Sequence, residues 1–401
     1  MPRLIVAFLA WATLLAGLTL PSFAPEISNV TILALMAAGL LHLFWVPERM
    51  HLLRQPASWM PLLAALLLLV AFSITAKSPL HVAAFLTLIH LYMVVPMSGL
   101  LIRLGGALTL DRIGFFALAG AAGGFAVAAI DVYVFGSSRG GLVNNPIHLA
   151  DITLALGFVA LVGLWSGSRW RLVFLAGPAL SVGTVLLTAS RGPMVAASLM
   201  LLTAALAMCF SWLPAYRRMR VIGGCLLVCI IMAALLVLTD APDVPAIERI
   251  MALLHGGIAG DTSASERLIM YRSAFNAFLA SPLVGHGLID YPMAAAAYAP
   301  AGSEFPIYDH LHNDIADFGV AGGILGLAAY GLFLWAPIAG ARRVEGALRM
   351  PLLYLGSVTT IGYFSMGMTN AVIGLRWPDI VLATVLALIV TLSNRPQGAQ
   401  A

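Results

Sequence analysis

Stretches of about 18–22 apolar residues recur along nearly the whole chain, each long enough to cross a hydrocarbon core of ~30 Å. Only 9% of the 401 residues are charged and 61% are hydrophobic, far too little charge to cover a soluble surface of this size. Inside lipid the backbone has no water to bond, so a chain of this kind folds as closed helices. The expected fold class is all-α: a polytopic membrane protein of about twelve spans. They run over about 4–21, 29–46, 58–76, 80–101, 113–135, 147–166, 171–189, 193–213, 220–239, 317–340, 351–372 and 378–393. Met1-Pro2-Arg3 and the apolar run after it have the outline of a signal peptide. The run is long for a signal core, and it is read as a retained first span.

The basic residues orient these spans. Fourteen of the 21 fall on one side: Arg3, Arg49, Arg54, Arg103, Arg112, Arg169, Arg171, Arg217, Arg218, Arg220, Arg342, Arg343, Arg349 and Arg395. The other seven are Lys77, Arg139, Arg191, Arg249, Arg267, Arg272 and Arg376. The positive-inside rule puts both termini in the cytoplasm. No basic run is interleaved with aromatics in a soluble segment, so nucleic acid is not an expected partner. The cysteines Cys209, Cys225 and Cys229 lie inside spans, where small buried side chains serve packing.

The spans leave one long connection, about residues 240–316, between an N-terminal membrane part (1–239) and a C-terminal one (317–401) with a short tail. A structureless loop of that size is unusual, so a small folded lid is expected. Within it Ser263-Ala264-Ser265-Glu266 has the form of a capping box. This puts Arg267 in a helix's first turn, with Leu268, Tyr271, Phe275 and Phe278 on an apolar face. Ser281-Pro282 ends the helix and Gly285-His286-Gly287 makes a turn.

The polar groups that invite a functional reading lie on the outer side. Ser190-Arg191-Gly192-Pro193 occupies a short outer turn. Ser190 suits a cap, and Arg191 stands beside a helix N-terminus, whose amides and dipole favour an anion. A guanidinium there makes a phosphate site; a snorkelling arginine with a cap is the plain alternative. Asn145-Pro146-Ile147-His148 repeats the arrangement, with Arg139 one loop earlier. Arg272, five positions after Arg267, points about 140° away around the helix; pairing with a loop acid such as Glu266 serves either arginine equally well. His310-Leu311-His312-Asn313-Asp314 opens the tenth span. A histidine there can take a proton from a hydroxyl; two histidines with Asp309 and Asp314 also fit a metal. Gly319, Gly322, Gly323 and Gly326 read as a helix-packing stripe. Asp131 and Asp151, in or near spans, fit proton coupling in a transporter or plain helix–helix hydrogen bonds.

Taken in order, these motifs resemble the O-antigen ligase/polymerase superfamily of bacterial envelope glycosyltransferases, and O-antigen ligases in particular. That family's histidine is followed by Asn, Ser or Gln, nine residues, Gly, two residues and Gly. Here it reads His312-Asn313, nine residues to Gly322, then Gly323 and Gly326. Ser190-Arg191-Gly192, Ser265-Glu266-Arg267, Arg139 with Asn145-Pro146, and Pro282 with Gly285 and Gly287 complete the resemblance. It implies a membrane glycosyltransferase fold of the GT-C type. The implied reaction moves a glycan from undecaprenyl pyrophosphate to a sugar hydroxyl of lipid A–core oligosaccharide, on the periplasmic face of the inner membrane. It is inverting, and needs neither metal nor cofactor. The implied catalytic residues are His312, Arg191 and Arg267; Arg139, Asn145, Arg272, Ser190 and Asn313 bind substrate. An O-antigen polymerase or a protein O-oligosaccharyltransferase would use the same donor. A transporter would show an inverted repeat, and none is evident.

Overall fold

Prolines mark where many of the helices begin, since the first helical position has no N–H partner to lose. Pro25, Pro56, Pro79 and Pro146 each stand there. The computed structural model describes residues 3–214, 219–224, 226–227, 262–300, 305–306 and 308–394, and among them every regular element is helical. In chain order these are α1 (Arg3–Ser22), α2 (Pro25–Trp45), α3 (Pro56–Ile74), α4 (Pro79–Ala107), α5 (Leu110–Tyr133), α6 (Pro146–Trp165), α7 (Arg171–Leu187) and α8 (Arg191–Trp212). Then come α9 (Thr262–Ala280), α10 (Tyr291–Ala296), α11 (Asp314–Ala341), α12 (Arg349–Gly367) and α13 (Arg376–Ser393). Among the described residues nine of these helices are long and apolar enough to span a membrane; α7 is shorter. The protein is an all-α, multi-pass membrane protein.

Eleven of the twelve expected spans coincide with a helix. The ninth lies outside the described residues from position 228 onward, as do Arg217, Arg218, Cys225, Cys229, Arg249, His255, Arg395 and the first part of the expected lid. Cys209 is buried, as a packing role requires. α6 and α13 are the most enclosed spans, at 89% and 83% buried. Small residues let the helices approach closely. Ser22 Oγ donates to the carbonyl of Gly120 at 2.6 Å, and Ser181 Oγ to that of Thr153 at 2.7 Å.

α11 is not one helix. At Gly323 the backbone turns to φ 59°, ψ −144° and the rod breaks. A break in a membrane helix strands amides and carbonyls, which the protein must satisfy elsewhere. The turn after α9 does so. His286 N–H donates to Val320 O at 2.8 Å and Gly287 N–H to Ala321 O at 2.9 Å, while Ile324 N–H donates to Pro282 O at 2.8 Å and Leu325 N–H to Leu283 O at 3.3 Å. A Cβ on Gly285 would lie 2.5 Å from the backbone of Ala321, and one on Gly323 2.5 Å from that of Leu283. The glycines expected to form a packing stripe therefore do something else in part: Gly323 makes the break, and Gly326 admits the carbonyl of Phe318, while Gly322 faces Leu68 of α3 as a packing glycine would.

Two further expectations are corrected. α9 already includes Thr262, so Ser263 lies inside the helix and Arg267 falls in its second turn. Its buried residues include Met270, Ser273, Ala274 and Ala277, and Phe275 of the expected apolar face is 62% exposed. The eleventh span ends at Gly367 rather than 372, which frees Thr369 and Asn370 to form a turn.

Gly323→Ala should lower the melting temperature of the detergent-purified protein, since left-handed, glycine-only backbone costs about 1–3 kcal/mol for other residues. Gly331→Ala, in the same helix with open space around its Cβ, should leave it unchanged or raise it. Differential scanning fluorimetry of the two variants side by side checks this; equal melting temperatures would contradict it.

Candidate active site

Four loops meet at one end of the bundle. The first, between α5 and α6, carries Arg139. Asp131 at the end of α5 shapes it by accepting from Ser137 Oγ and from Gly141 N–H, each at 2.6 Å. Gly140 N–H reaches the carbonyl of Leu187 at 3.0 Å, so the loop is tied to the end of α7. Asp131 thus has a structural task, which weakens the proton-coupling reading.

Arg139 extends from this loop over the second one, the α7–α8 turn. Its Nε donates to the carbonyl of Thr188 at 2.9 Å and its Nη2 to Ser190 Oγ at 3.4 Å. Ser190 stands at the N-cap position of α8 but its side chain makes no cap bond; the hydroxyl donates to Thr188 O at 3.3 Å instead. The expected Ser190 cap is therefore corrected: the turn is too tight for the hydroxyl to reach forward, and it points back towards Arg139. Arg191 opens α8 with an exposed side chain. Gly192 lies so close to Thr369 that any side chain there would overlap it, which sets the Arg191 turn against the α12–α13 loop. Asn145 caps α6 by accepting from Ile147 N–H at 2.9 Å, as expected.

The third loop holds the histidines. Asn313 caps α11 through Ile315 and Ala316, at 2.9 and 3.2 Å, and donates to the carbonyl of Met368 at 3.1 Å. Asp317 accepts from Leu311 N–H at 2.7 Å and Tyr271 OH donates to the carbonyl of His312 at 3.1 Å. These bonds hold His312 at φ 55°. Among the described residues the other non-glycine residue at positive φ is Ala189, φ 48°, in the Arg191 turn. Both strained residues thus sit in loops of this one region, and strain of this kind collects at functional sites.

The rings have defined protonation. His312 Nδ1 lies 3.2 Å from Asn370 Oδ1 in the fourth loop. An amide oxygen only accepts, so Nδ1 carries the proton and Nε2 keeps its lone pair. His312 N–H points to His310 Nδ1 at 3.3 Å, which leaves the proton of His310 on Nε2. The two rings are 4.3 Å apart at their centroids, with His148 of α6 6.3 Å from His310 and Tyr308 5.1 Å from His312. Burial lowers the pKa of His312, with the Arg267 guanidinium adding to it and the Asn370 bond and Glu266 opposing. Burial, then His312, His148 and Arg267, push His310 down to about 3. His312 is therefore a neutral base at pH 7, with a cation nearby. Tyr308 OH donates to Glu266 Oε2 at 3.3 Å, which keeps the residue before Arg267 on the same cluster. Arg272 is exposed on another flank of α9. Among the described residues no three His, Cys, Asp or Glu side chains are arranged to hold a metal ion.

Sequence reasoning singled out His312, Arg267, Arg191, Arg139 and Ser190, and α9 together with the four loops holds these at one end. It missed Asn370, Tyr308, Ala189 and the role of His148. A signal existed for His148: it stands three positions before Asp151, so two polar groups share one face of an apolar span.

Acid should unfold the protein through this cluster. The unfolded chain protonates a histidine near 6.5, whereas folded His310 stays neutral to about 3. Its contribution to stability is complete above 6.5 and is lost as the pH falls from there towards 3. The melting temperature should fall between pH 7 and pH 4.5, and fall less in His310→Asn. Parallel curves for the two proteins would contradict this.

No curated protein matches the chain significantly. Residues 176–331 match the family described as O-antigen ligase, a stretch that contains Arg191, Arg267 and His312. Over that stretch the chain is similar to the O-antigen ligase family.

Proposed function

We propose that this protein transfers a glycan from undecaprenyl pyrophosphate to a sugar hydroxyl of lipid A–core oligosaccharide at the periplasmic face of the bacterial inner membrane. The family supports O-antigen ligase- or polymerase-type glycosyl transfer. The observation that carries the finer reading is His312: a neutral imidazole with its Nδ1 proton committed to Asn370 and its Nε2 lone pair available. The excess of arginines on the opposite side supports the periplasmic face and cytoplasmic termini.

In this mechanism His312 Nε2 takes the proton of the acceptor hydroxyl as its oxygen bonds to the anomeric carbon. The bond from that carbon to the pyrophosphate breaks, and undecaprenyl pyrophosphate leaves with the electron pair. Attack from the face opposite the leaving group inverts the anomeric centre. Arg191 and Arg267 stabilise the negative charge on the departing phosphates, so guanidinium groups do the work a metal ion does elsewhere. Arg139 uses two of its five donors to hold the α7–α8 turn, and its remaining donors serve the donor phosphates. Asn145, Ser190, Asn313 and Arg272 help bind or orient substrate.

Purified protein in nanodiscs, given lipid-linked glycan with lipid A–core, with a second lipid-linked glycan or with a Ser/Thr peptide, tests this reading. Product on lipid A–core alone is expected. Product on the lipid-linked glycan would make it a polymerase, and product on the peptide a protein glycosyltransferase. His312→Ala should lower turnover by ~10²–10⁴-fold, the usual loss on removing a general base. The acid limb of the rate profile should have its midpoint below 6.5, because burial holds the His312 pKa down and activity is lost as the pH falls through that lowered value.

A further inference from the structure

Five carboxylates are buried among the described residues: Asp131, Asp151, Asp314, Asp317 and Asp379. Four of them have an evident structural task. Asp131 accepts from Gly141 N–H, Asp314 from Val372 and Ile373, Asp317 from Leu311, and Asp379 from Gly374. Each thereby fixes a loop, and backbone amides offset the cost of taking a carboxylate out of water. Asp151 is different. It is 2% exposed in the second turn of α6 and, among the described residues, accepts no backbone amide and leaves its Oδ1 without a hydrogen-bond partner. Its Oδ2 accepts from one group, Nδ2 of Asn370, at 3.5 Å. An acid so placed in a membrane span is costly to keep, and no loop geometry here explains it.

Its partner does. Asn370 has two ends: Nδ2 faces Asp151, and Oδ1 faces His312 Nδ1 at 3.2 Å. An asparagine amide can turn over by half a rotation with little change in shape. Turned over, it would present Nδ2 donors to His312 Nδ1 and select the tautomer with the proton on Nε2, which cannot accept one from substrate. A carboxylate oxygen on the far side favours the NH₂ group there and so prevents the turnover. We infer that Asp151 is a positioning residue for glycosyl transfer: through Asn370 it holds His312 in the tautomer that leaves Nε2 free. The inference rests on the reading of His312 as the base. No proton passes along this chain of contacts; Nδ1–H stays in place while Nε2 is protonated and released. Asp151 and Asn370 lie on either side of the stretch 176–331 that matches the family, so the match itself does not include them.

The test compares Asp151→Leu, Asp151→Asn and His312→Ala in the nanodisc transfer assay, singly and as the Asp151→Leu/His312→Ala double variant. Asp151→Leu should lower kcat between about 10- and 100-fold, up to the lower range for loss of a base, with the KM for lipid-linked donor unchanged. Asp151→Asn keeps an oxygen that can face Asn370 and should recover most of the loss. Added to His312→Ala, Asp151→Leu should cost nothing further, because it acts only through that ring. Wild-type kcat in Asp151→Leu, a raised donor KM with kcat intact, or an additive loss in the double variant would overturn the inference. Should Asp151→Leu fail to fold, Asn370→Ala breaks the same link from the loop side and is read against His312→Ala in the same way. Full activity in His312→Ala would instead remove the base reading itself.

Discussion

The exchange of backbone hydrogen bonds between the 282–287 turn and the break in α11 is the constraint on which the rest of this molecule depends. A span that unwinds at Gly323 needs new partners for its free amides and carbonyls, and it finds them in the turn that ends α9. His286 ties the same turn back, its Nε2 bonding the carbonyl of Ala277 at 2.8 Å. α9 is thereby locked to the membrane bundle by backbone bonds in addition to its buried face of Met270, Ala274 and Ala277. Because α9 carries Glu266, Arg267 and Tyr271, this backbone junction places a cation and a tyrosine beside the His310–His312 loop.

The loops at that end are rigid for a second reason. Asp131, Asp314, Asp317 and Asp379 each bond main-chain amides of a connecting segment, so the connections are fixed by buried hydrogen bonds. Rigid loops are what permit His312 and Ala189 to stay at positive φ. Under the proposed function, a donor pyrophosphate would meet groups already oriented, so little binding energy would be lost to ordering them.

Much of this was legible in the sequence, and what was not has a physical reason. Span positions follow from hydrophobicity alone, and the arginines stand out because a membrane protein rarely keeps them away from the cytoplasmic side. Gly323 looked like packing because a glycine that breaks a helix and one that admits a neighbour leave the same trace; only the partner turn distinguishes them. Asn370 was hidden within an apolar run, where one polar residue reads as part of the span. Asp151 was recognised as costly, but its partner lies 219 positions away, a contact that no local pattern reports. Arg267 falls one helical turn later than the capping pattern suggested, since helix ends are the part of an element that local pattern fixes least.

The bonds of Asp314 bear on how the protein is made. Its carboxylate holds amides 58 and 59 positions further along the chain, and the Asn370 that orients His312 lies in the same late loop. As the chain emerges from the ribosome, α11 is inserted with this acid still lacking its partners, and α12 and the start of α13 must follow before it is satisfied. The histidine loop is therefore held in this form only once the segment between α12 and α13 is seated beside it.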